Sequence, residues 1–296
     1  MIPHHTFSEE GVALEDARVA VLPVPYDLSL SWRAGARLGP KALIDAAEEL
    51  ELFDEEIGIA PCDAGIGVAE MVPWVGGDAQ SSHDLIFQAA ARELAAGRFV
   101  VTVGGDHSIT HPLIRAHAEA VEQPFGVLQF DAHTDLYEEW QGTVLSHACP
   151  MYRLVEDGFP LTQVGLRAIS LESREYQKAK GIPFFPSHVV HHRPLAEIAQ
   201  AVVDSLPPRV YITFDLDCLD PSLMPSVGTP LPDGLNYRQA VDILAAVFAQ
   251  REVVGVDIVE LSPNGQWHAE MTAAQLAYRI IGLKALQAGW LEARTF

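Results

Sequence analysis

Apolar segments rich in Val, Ile and Phe recur along the chain, and several of them are nearly continuous instead of alternating with polar residues. Strands that are buried on both faces have this pattern, and such strands belong to parallel sheets. The pattern therefore predicts a set of buried strands. They span residues 18–24, 99–103, 125–130, 162–166, 210–216 and 252–261.

Between these segments, apolar residues recur at the three- and four-residue spacing of amphipathic helices. The predicted helices span residues 41–53, 83–96, 109–121, 148–156, 195–205, 237–249 and 272–288. Boundary residues support two of the starts, because Pro40 follows Gly39 and because Asn236 with Gln239 resembles a capping box. This alternation predicts a three-layer α/β fold, with helices on both faces of a central, mostly parallel sheet.

The composition is that of a globular protein, with 49% hydrophobic and 20% charged residues in 296. No stretch resembles a linker, so we expect one domain over residues 1–296. The formal net charge of -21 argues against nucleic acid as a partner and favours cationic small molecules. We expect no disulfide framework and no membrane partner, and we expect a cytoplasmic protein, because there is no secretion signal or apolar run of about 18 residues.

Polar residues that bind metals follow three of the predicted strands. They are His107, Asp131, His133, Asp135, Asp215 and Asp217. In an extended chain, alternate side chains share one side, so the four carboxylates should converge. At about 5 Å spacing and an effective dielectric of about 20, their repulsion would be at most on the order of 20 kcal/mol. Two divalent ions would remove it. Single Asp residues usually cap turns, but turn formation does not require this many ligands at alternating positions.

The motifs that contain these residues resemble those of the ureohydrolase family of arginases and agmatinases. They are Gly-Gly-Asp-His-Ser at 104–108, Asp-Ala-His-Thr-Asp at 131–135, Asp-Leu-Asp-Cys-Leu-Asp-Pro at 215–221 and Asp-Ile-Val-Glu-Leu-Ser-Pro around Glu260. The resemblance includes the loops at 31–40 and 228–235 and covers nearly the whole chain. Each motif alone is moderately specific, whereas their combination in this order is highly specific.

The resemblance implies a binuclear manganese centre in an arginase-like fold. One ion would be held by His107, Asp131, Asp135 and Asp215, and the other by Asp131, His133, Asp215 and Asp217, so that Asp131 and Asp215 bridge the pair. Oxygen and imidazole ligands without thiolate suit manganese but do not exclude other divalent ions. Asp106 and Asp220 flank the motifs and are expected to hydrogen-bond around the ligands. The resemblance also implies a homo-oligomer, either a trimer or a hexamer.

Hydrolysis of a guanidinium group explains why such a centre is needed. Metal coordination lowers the pKa of water from about 15.7 toward about 7, which supplies a bridging hydroxide to attack the poorly electrophilic guanidinium carbon. The departing amine needs a proton from a general acid, for which histidine is well suited. The resemblance assigns this role to His147, and it assigns to Glu260 charge-assisted hydrogen bonds to the guanidinium. Without the resemblance, a His in the position of His147 is more often a helix-capping or core residue, and a salt bridge from Glu260 to an internal Arg is an open alternative.

Residues 136–146 bear on the choice of substrate. Tyr137 stands where arginases have an Asn that binds the substrate's amino-acid end, and Glu138 and Glu139 would repel a carboxylate. Trp140 is an aromatic residue that could bind an amine by a cation–π contact. We therefore expect a cationic guanidino substrate, either agmatine or the longer N1-aminopropylagmatine. The alternative is that Glu138 and Glu139 lie on a solvent-exposed loop of a very acidic protein and have no role in substrate binding.

Other functions remain open at this point. The same chemistry applies to arginine, guanidinobutyrate or formiminoglutamate, and a polyamine-binding protein could keep the metals without catalysis. A metallophosphatase is disfavoured because the chain lacks a Gly-Asn-His-Glu segment. The remaining histidines are expected to have no role at the site, His4 and His5 near the terminus and His188, His191 and His192 in a proline-flanked surface loop. His111 is not needed as a ligand.

Overall fold

All eight strands form one parallel sheet in the computed structural model, which describes Phe7, residues 12–29 and residues 31–294. The strands are β1 (Val19–Pro23), β2 (Ile66–Val68), β3 (Phe99–Val103), β4 (Gly126–Phe130), β5 (Leu161–Val164), β6 (Phe184–Phe185), β7 (Arg209–Asp215) and β8 (Glu252–Val259). Their order across the sheet is β2-β1-β3-β8-β7-β4-β5-β6. The prediction of a mostly parallel sheet is confirmed.

Helices cover both faces of the sheet. They are α1 (Gly39–Ala47), α2 (Ala79–Ala95), α3 (Thr110–Ala120), α4 (Pro150–Glu156), α5 (Leu171–Lys180), α6 (Ser187–His192), α7 (Leu195–Ser205), α8 (Tyr237–Gln250) and α9 (Trp267–Gln287). Helices α1 and α6–α9 pack on one face of the sheet, and α2–α5 pack on the other. Successive strand residues alternate between the two cores, so that Ile212 lies in the first and Tyr211 in the second. The three-layer prediction is confirmed.

The predicted helix starts are closest to the structure where capping residues mark them, because α8 begins at Tyr237 as predicted and α1 begins at Gly39, two residues before the predicted start. Asn236 and Gln239 form the reciprocal hydrogen bonds of a capping box at the start of α8, and Pro40 lies in the first turn of α1. Other boundaries differ from the prediction: α1 ends at Ala47 instead of residue 53, and α9 begins at Trp267 instead of residue 272. No helix within the described residues is long and apolar enough to cross a membrane.

Several short elements were not predicted. Strands β2 and β6 have three and two residues, too few to show a periodicity, and α5 is mostly polar. The loop predicted around His188, His191 and His192 is wrong, because these residues belong to the six-residue helix α6 that follows Pro186. The Nε2 atom of His191 lies 3.5 Å from Asp233, an acidic neighbour that is remote in sequence. His4 and His5 lie outside the described residues.

Candidate active site

The carboxyl ends of β3, β4 and β7 bring two histidines together with the four aspartates. His107 Nδ1 lies 2.9 Å from Asp135 Oδ2, 3.1 Å from Asp131 Oδ2 and 3.3 Å from Asp215 Oδ2. His133 Nδ1 lies 2.9 Å from Asp217 Oδ2 and 3.5 Å from Asp131 Oδ1. These contacts define two adjacent groups of candidate metal ligands, one around each histidine.

Asp131 is the residue that the two groups share. Its Oδ2 faces the His107 group and its Oδ1 faces the His133 group. This is the arrangement that a carboxylate bridging two ions requires. Asp215, the second expected bridge, contacts the histidine of the first group: its Oδ2 lies 3.3 Å from His107 Nδ1.

The extended conformation expected for the ligand segments is wrong. Strand β4 ends at Phe130, Asp135 has a φ of 50°, and Asp217 lies in a 3-10 turn. The cause is a turn in which a carboxylate accepts a hydrogen bond from the backbone N–H two residues later. It occurs from His133 N to Asp131 (2.6 Å) and from Asp217 N to Asp215 (2.7 Å). The carboxylates therefore cap turns and face the common site as well.

The polar contacts of His107 indicate that a cation fits between these side chains. Thr213 Oγ1 donates to Asp257 (2.6 Å), so it accepts from the Nε2–H of His107 (2.8 Å). When the neutral ring carries its proton on Nε2, the Nδ1 lone pair points toward carboxylate oxygens 2.9 to 3.3 Å away, and Nδ1 forms no well-oriented hydrogen bond among the described residues. A lone pair facing anions is unfavourable unless a positive charge lies between them.

The electrostatics of the site lead to the same conclusion. Burial alone would lower the pKa of His133, but Asp217 and Asp131 raise it to about 12. Burial raises the pKa of Asp215 well above its usual value, and the charges of Asp217 and Asp131 raise it further. Both effects are those of an excess of negative charge in a site that water hardly reaches. Divalent cations would relieve it, and the oxygen and imidazole donors are suitable ligands.

His147 lies beside the two groups and is held by serines. Its backbone N–H donates to Ser29 Oγ (2.8 Å), its Nδ1 lies 3.1 Å from the same oxygen, and its Nε2 lies 2.8 Å from Ser31 Oγ. Ser29 in turn donates to buried Asp106 through its hydroxyl and its backbone N–H, both at 3.0 Å. Burial, and then the charges of His107 and His133, lower the pKa of His147 to about 4. Asp106 therefore hydrogen-bonds Ser29 and Ser108 instead of a candidate metal ligand, and Asp220 binds Ser222 and Gly234 within its own loop.

Glu260 follows β8 and has a φ of 69°, which is a strained conformation for a side-chain-bearing residue. Its Oε1 accepts a hydrogen bond from the backbone N–H of His107 (2.9 Å). Burial, and then the charge of Asp106, raise its pKa well above the usual value. Within the described part of the chain it has no ion pair with an Arg, so the alternative of an internal salt bridge is wrong.

A cavity of about 300 Å³ opens above these residues. Its outer wall contains Trp32, Arg33, Tyr137 and Trp140, and the last two rings lie 4.8 Å apart. The backbones of Trp140 and Thr143 exchange two hydrogen bonds across a tight two-residue turn. Glu138 and Glu139 are exposed and are not part of the cavity wall.

Sequence reasoning missed several residues at the site. They are Ser29, Ser31, Gln129, Thr213 and Asp257. The one available signal was the presence of polar residues inside otherwise apolar strands, as in Gln129 and Asp257. The serines carry no such signal because they lie in a loop.

Nearly the whole chain is similar to known ureohydrolases. The model of the arginase family matches residues 17–282. An N(1)-aminopropylagmatine ureohydrolase from Thermus thermophilus is 60% identical over 288 residues, which are 97% of this chain and 97% of the relative. An agmatinase from Chromobacterium violaceum is 36% identical over 273 residues, which are 90% of this chain and 82% of the relative.

The fold agrees with these relatives. The X-ray structure of a hypothetical agmatinase from Burkholderia thailandensis has a TM-score of 0.86 at 30% sequence identity, covering 96% of this chain and 90% of that one. The resemblance inferred from the motifs is therefore confirmed by the sequence as a whole and by the fold. The chain belongs to the arginase family.

Proposed function

We propose that the chain hydrolyses a cationic guanidino-amine to urea and an amine at a centre of two manganese ions. His107, Asp131, Asp135 and Asp215 would hold one ion, and Asp131, His133, Asp215 and Asp217 the other. The observation that carries the proposal is the position of the buried His107 Nδ1, which lies within 3.3 Å of carboxylate oxygens of Asp131, Asp135 and Asp215. Two dications would neutralise the four carboxylates.

The bound ions would supply Lewis acidity and make a coordinated water nucleophilic near neutral pH. The surrounding residues perform the other tasks. Glu260 carries a half-buried carboxylate that lines the cavity, and a guanidinium placed there would receive charge-assisted hydrogen bonds. Because His107 N–H already holds Oε1, the carboxylate has a fixed orientation before the substrate arrives.

His147 would move the proton, and its hydrogen bonds determine which nitrogen does so. Ser29 donates its only hydroxyl hydrogen to the Asp106 carboxylate, so its oxygen accepts from His147 Nδ1–H. The lone pair then lies on Nε2, which receives a hydrogen bond from Ser31. With its pKa lowered by burial, neutral His147 would accept at Nε2 the proton released during attack and return it to the departing amine nitrogen.

The aromatic wall favours an amine at the far end of the substrate. Tyr137 and Trp140 present ring surfaces to the cavity, and such surfaces attract cations. The strongly negative net charge attracts the same substrates from solution. Agmatine and N1-aminopropylagmatine meet this description, and the 60% identical relative is named for the second.

A substrate that carries a carboxylate is the second candidate, because Arg33 also lines the cavity. Its guanidinium lies 4.6 Å from the Trp32 ring and would pair with such a group. Arginine, guanidinobutyrate and formiminoglutamate belong to this class.

The test is release of urea or, for formiminoglutamate, of formamide, from a panel of these compounds by manganese-loaded enzyme, with the Asp131→Asn variant as negative control. We expect the highest kcat/KM for agmatine or N1-aminopropylagmatine. Highest kcat/KM with an acidic compound would reject the amine-tailed substrate, and no turnover of any compound would leave a binding function instead. A product signal unaffected by Asp131→Asn would reject the metal centre.

A further inference from the structure

A row of buried polar side chains crosses the sheet just before the strands end. The register pairs Thr102 with Asp257, Asp257 with Thr213, Thr213 with Gln129, and Gln129 with Gln163. Each of these residues has 0% exposure. A polar row in the middle of a buried sheet is unfavourable unless its groups find partners.

The row divides into parts with different partners. Asp257 and Thr213 lead to His107, as described above. Gln129 leads to Asp131, because its Nε2 donates to Asp131 Oδ2 at 2.6 Å. The hydroxyl of Thr102 has no hydrogen-bond partner among the described residues.

Gln129 is the first member of a chain of three buried amides. Gln163 Nε2 donates to Gln129 Oε1 (2.5 Å), and Gln177 Nε2 of α5 donates to Gln163 Oε1 (2.5 Å). Because a carboxylate only accepts, Gln129 must turn its amino group to Asp131, and this fixes the orientation of the next two amides. Successive amides aligned in this way polarise one another and strengthen the bond to Asp131.

The amide chain, Gln129–Gln163–Gln177, contacts the ligand loop at a second point. Gln163 Nε2 also donates to the backbone carbonyl of Thr134 (2.8 Å), which lies between His133 and Asp135. It therefore restrains both a carboxylate and the backbone of residues 131–135.

The contact to Asp131 is asymmetric. Gln129 binds Oδ2, the oxygen on the side of His107, whereas Oδ1 is held by the backbone N–H of His133. A residue that supports only one oxygen of a bridging carboxylate affects the two ions unequally. Three amides within an apolar core, the last with an unpaired Oε1 among the described residues, are costly to bury. The favourable interactions that offset this cost are the hydrogen bonds to the Asp131 carboxylate and to the backbone carbonyl of Thr134, both within residues 131–135.

We propose that Gln129, Gln163 and Gln177 are positioning residues that orient Asp131 and thereby set the affinity for the ion on the His107 side. This inference rests on the proposed metal centre. It adds residues that touch neither the ions nor the substrate.

The test compares stepwise manganese binding by the metal-stripped chain and its variants, using calorimetry and the electron paramagnetic resonance signal of a coupled manganese pair. Gln129→Met and Gln163→Met keep the length of the side chain and remove the amide. Thr102→Val is the matched control, because it lies in the same buried row and its hydroxyl has no partner.

We expect Gln129→Met to weaken one manganese equivalent about 10- to 100-fold and to leave the other unchanged. Gln163→Met should weaken the same equivalent less, and it replaces Gln129→Met as the decisive variant if the latter does not fold. Thr102→Val should bind both equivalents as the unaltered chain does.

Two results would overturn the inference: unchanged binding of both equivalents, or equal weakening of both with a matching loss of metal-free stability, which is a purely structural effect. If the unaltered chain itself binds no manganese pair, the proposed metal centre fails. If it binds the pair and the Gln variants bind it equally well, only the amide chain is refuted.

Discussion

Asp106 is fully buried and connects Ser29, the serine that contacts His147, to the loop before α3. Asp106→Asn is therefore an informative substitution. Each carboxylate oxygen holds one serine: Oδ1 accepts from the N–H and hydroxyl of Ser108, and Oδ2 from those of Ser29. An Asn side chain has one acceptor oxygen, so one of the two serines would face an amino group. We expect a constant loss of stability from this mismatch, together with a change that depends on pH.

The pH-dependent part follows from the pKa of Asp106. Burial raises it from 3.8 to about 6, and hydrogen bonds from Ser108 and Ser29 limit the rise. The folded chain therefore keeps this proton where the unfolded chain has lost it, and the free energy of unfolding falls as the pH rises from about 4 to above 6. The full difference corresponds to about 3 kcal/mol, of which about 1.4 kcal/mol falls between pH 5 and pH 8. Asn does not titrate, so this dependence disappears in the variant.

The assay is urea denaturation of metal-free protein at both pH values. The stability of Asp106→Asn relative to the unaltered chain should improve by about 1.4 kcal/mol between pH 5 and pH 8, and the constant loss cancels in this comparison. The local turn to the Ser108 N–H should keep the one acceptor oxygen of Asn, so the amino group faces Ser29. In the manganese-loaded enzyme, kcat should then fall more than KM changes, because Ser29 no longer orients His147. A stability difference that is the same at both pH values would refute the buried, raised pKa. An unchanged kcat would refute the link to His147.

Three further predictions concern the ligands, the proton transfer and the substrate tail. Asp131→Asn should lower the manganese content measured by elemental analysis, since it removes the proposed bridge, and an unaltered metal-to-protein ratio would contradict this role. His147→Ala should reduce kcat by about 100- to 10,000-fold with a smaller change in KM, and equal turnover in steady-state assays would exclude proton transfer by His147. Trp140→Ala should raise KM for N1-aminopropylagmatine. The double variant Glu138→Gln with Glu139→Gln should change this KM little, because both glutamates are exposed. A larger rise in KM for the double variant than for Trp140→Ala would instead assign binding of the substrate tail to the two glutamates.

The strands and longer helices were predictable because they depend on local composition. Continuous apolar runs such as Phe99–Val103 indicate burial on both faces, and the Asn236–Gln239 capping box marks a helix start. Helix α5 was missed because its sequence is mostly polar, and α6 because it has only six residues, three of them histidines. Local patterns lose their information when an element is that short or that polar.

The sequence by itself determined the fold class, the family and the set of polar residues at strand ends, because each follows from short local patterns and from their order along the chain. Only the tertiary structure decided how those residues are held. Ser29 and His147 lie 118 positions apart, and His107 and Thr213 lie 106 apart. Their contacts exist because the strand order brings the ends of β3, β7 and β4 to one edge of the sheet. Even the ligand turns differ from the extended segments expected, because each aspartate side chain bonds to its own backbone, a local choice that strand periodicity does not reveal.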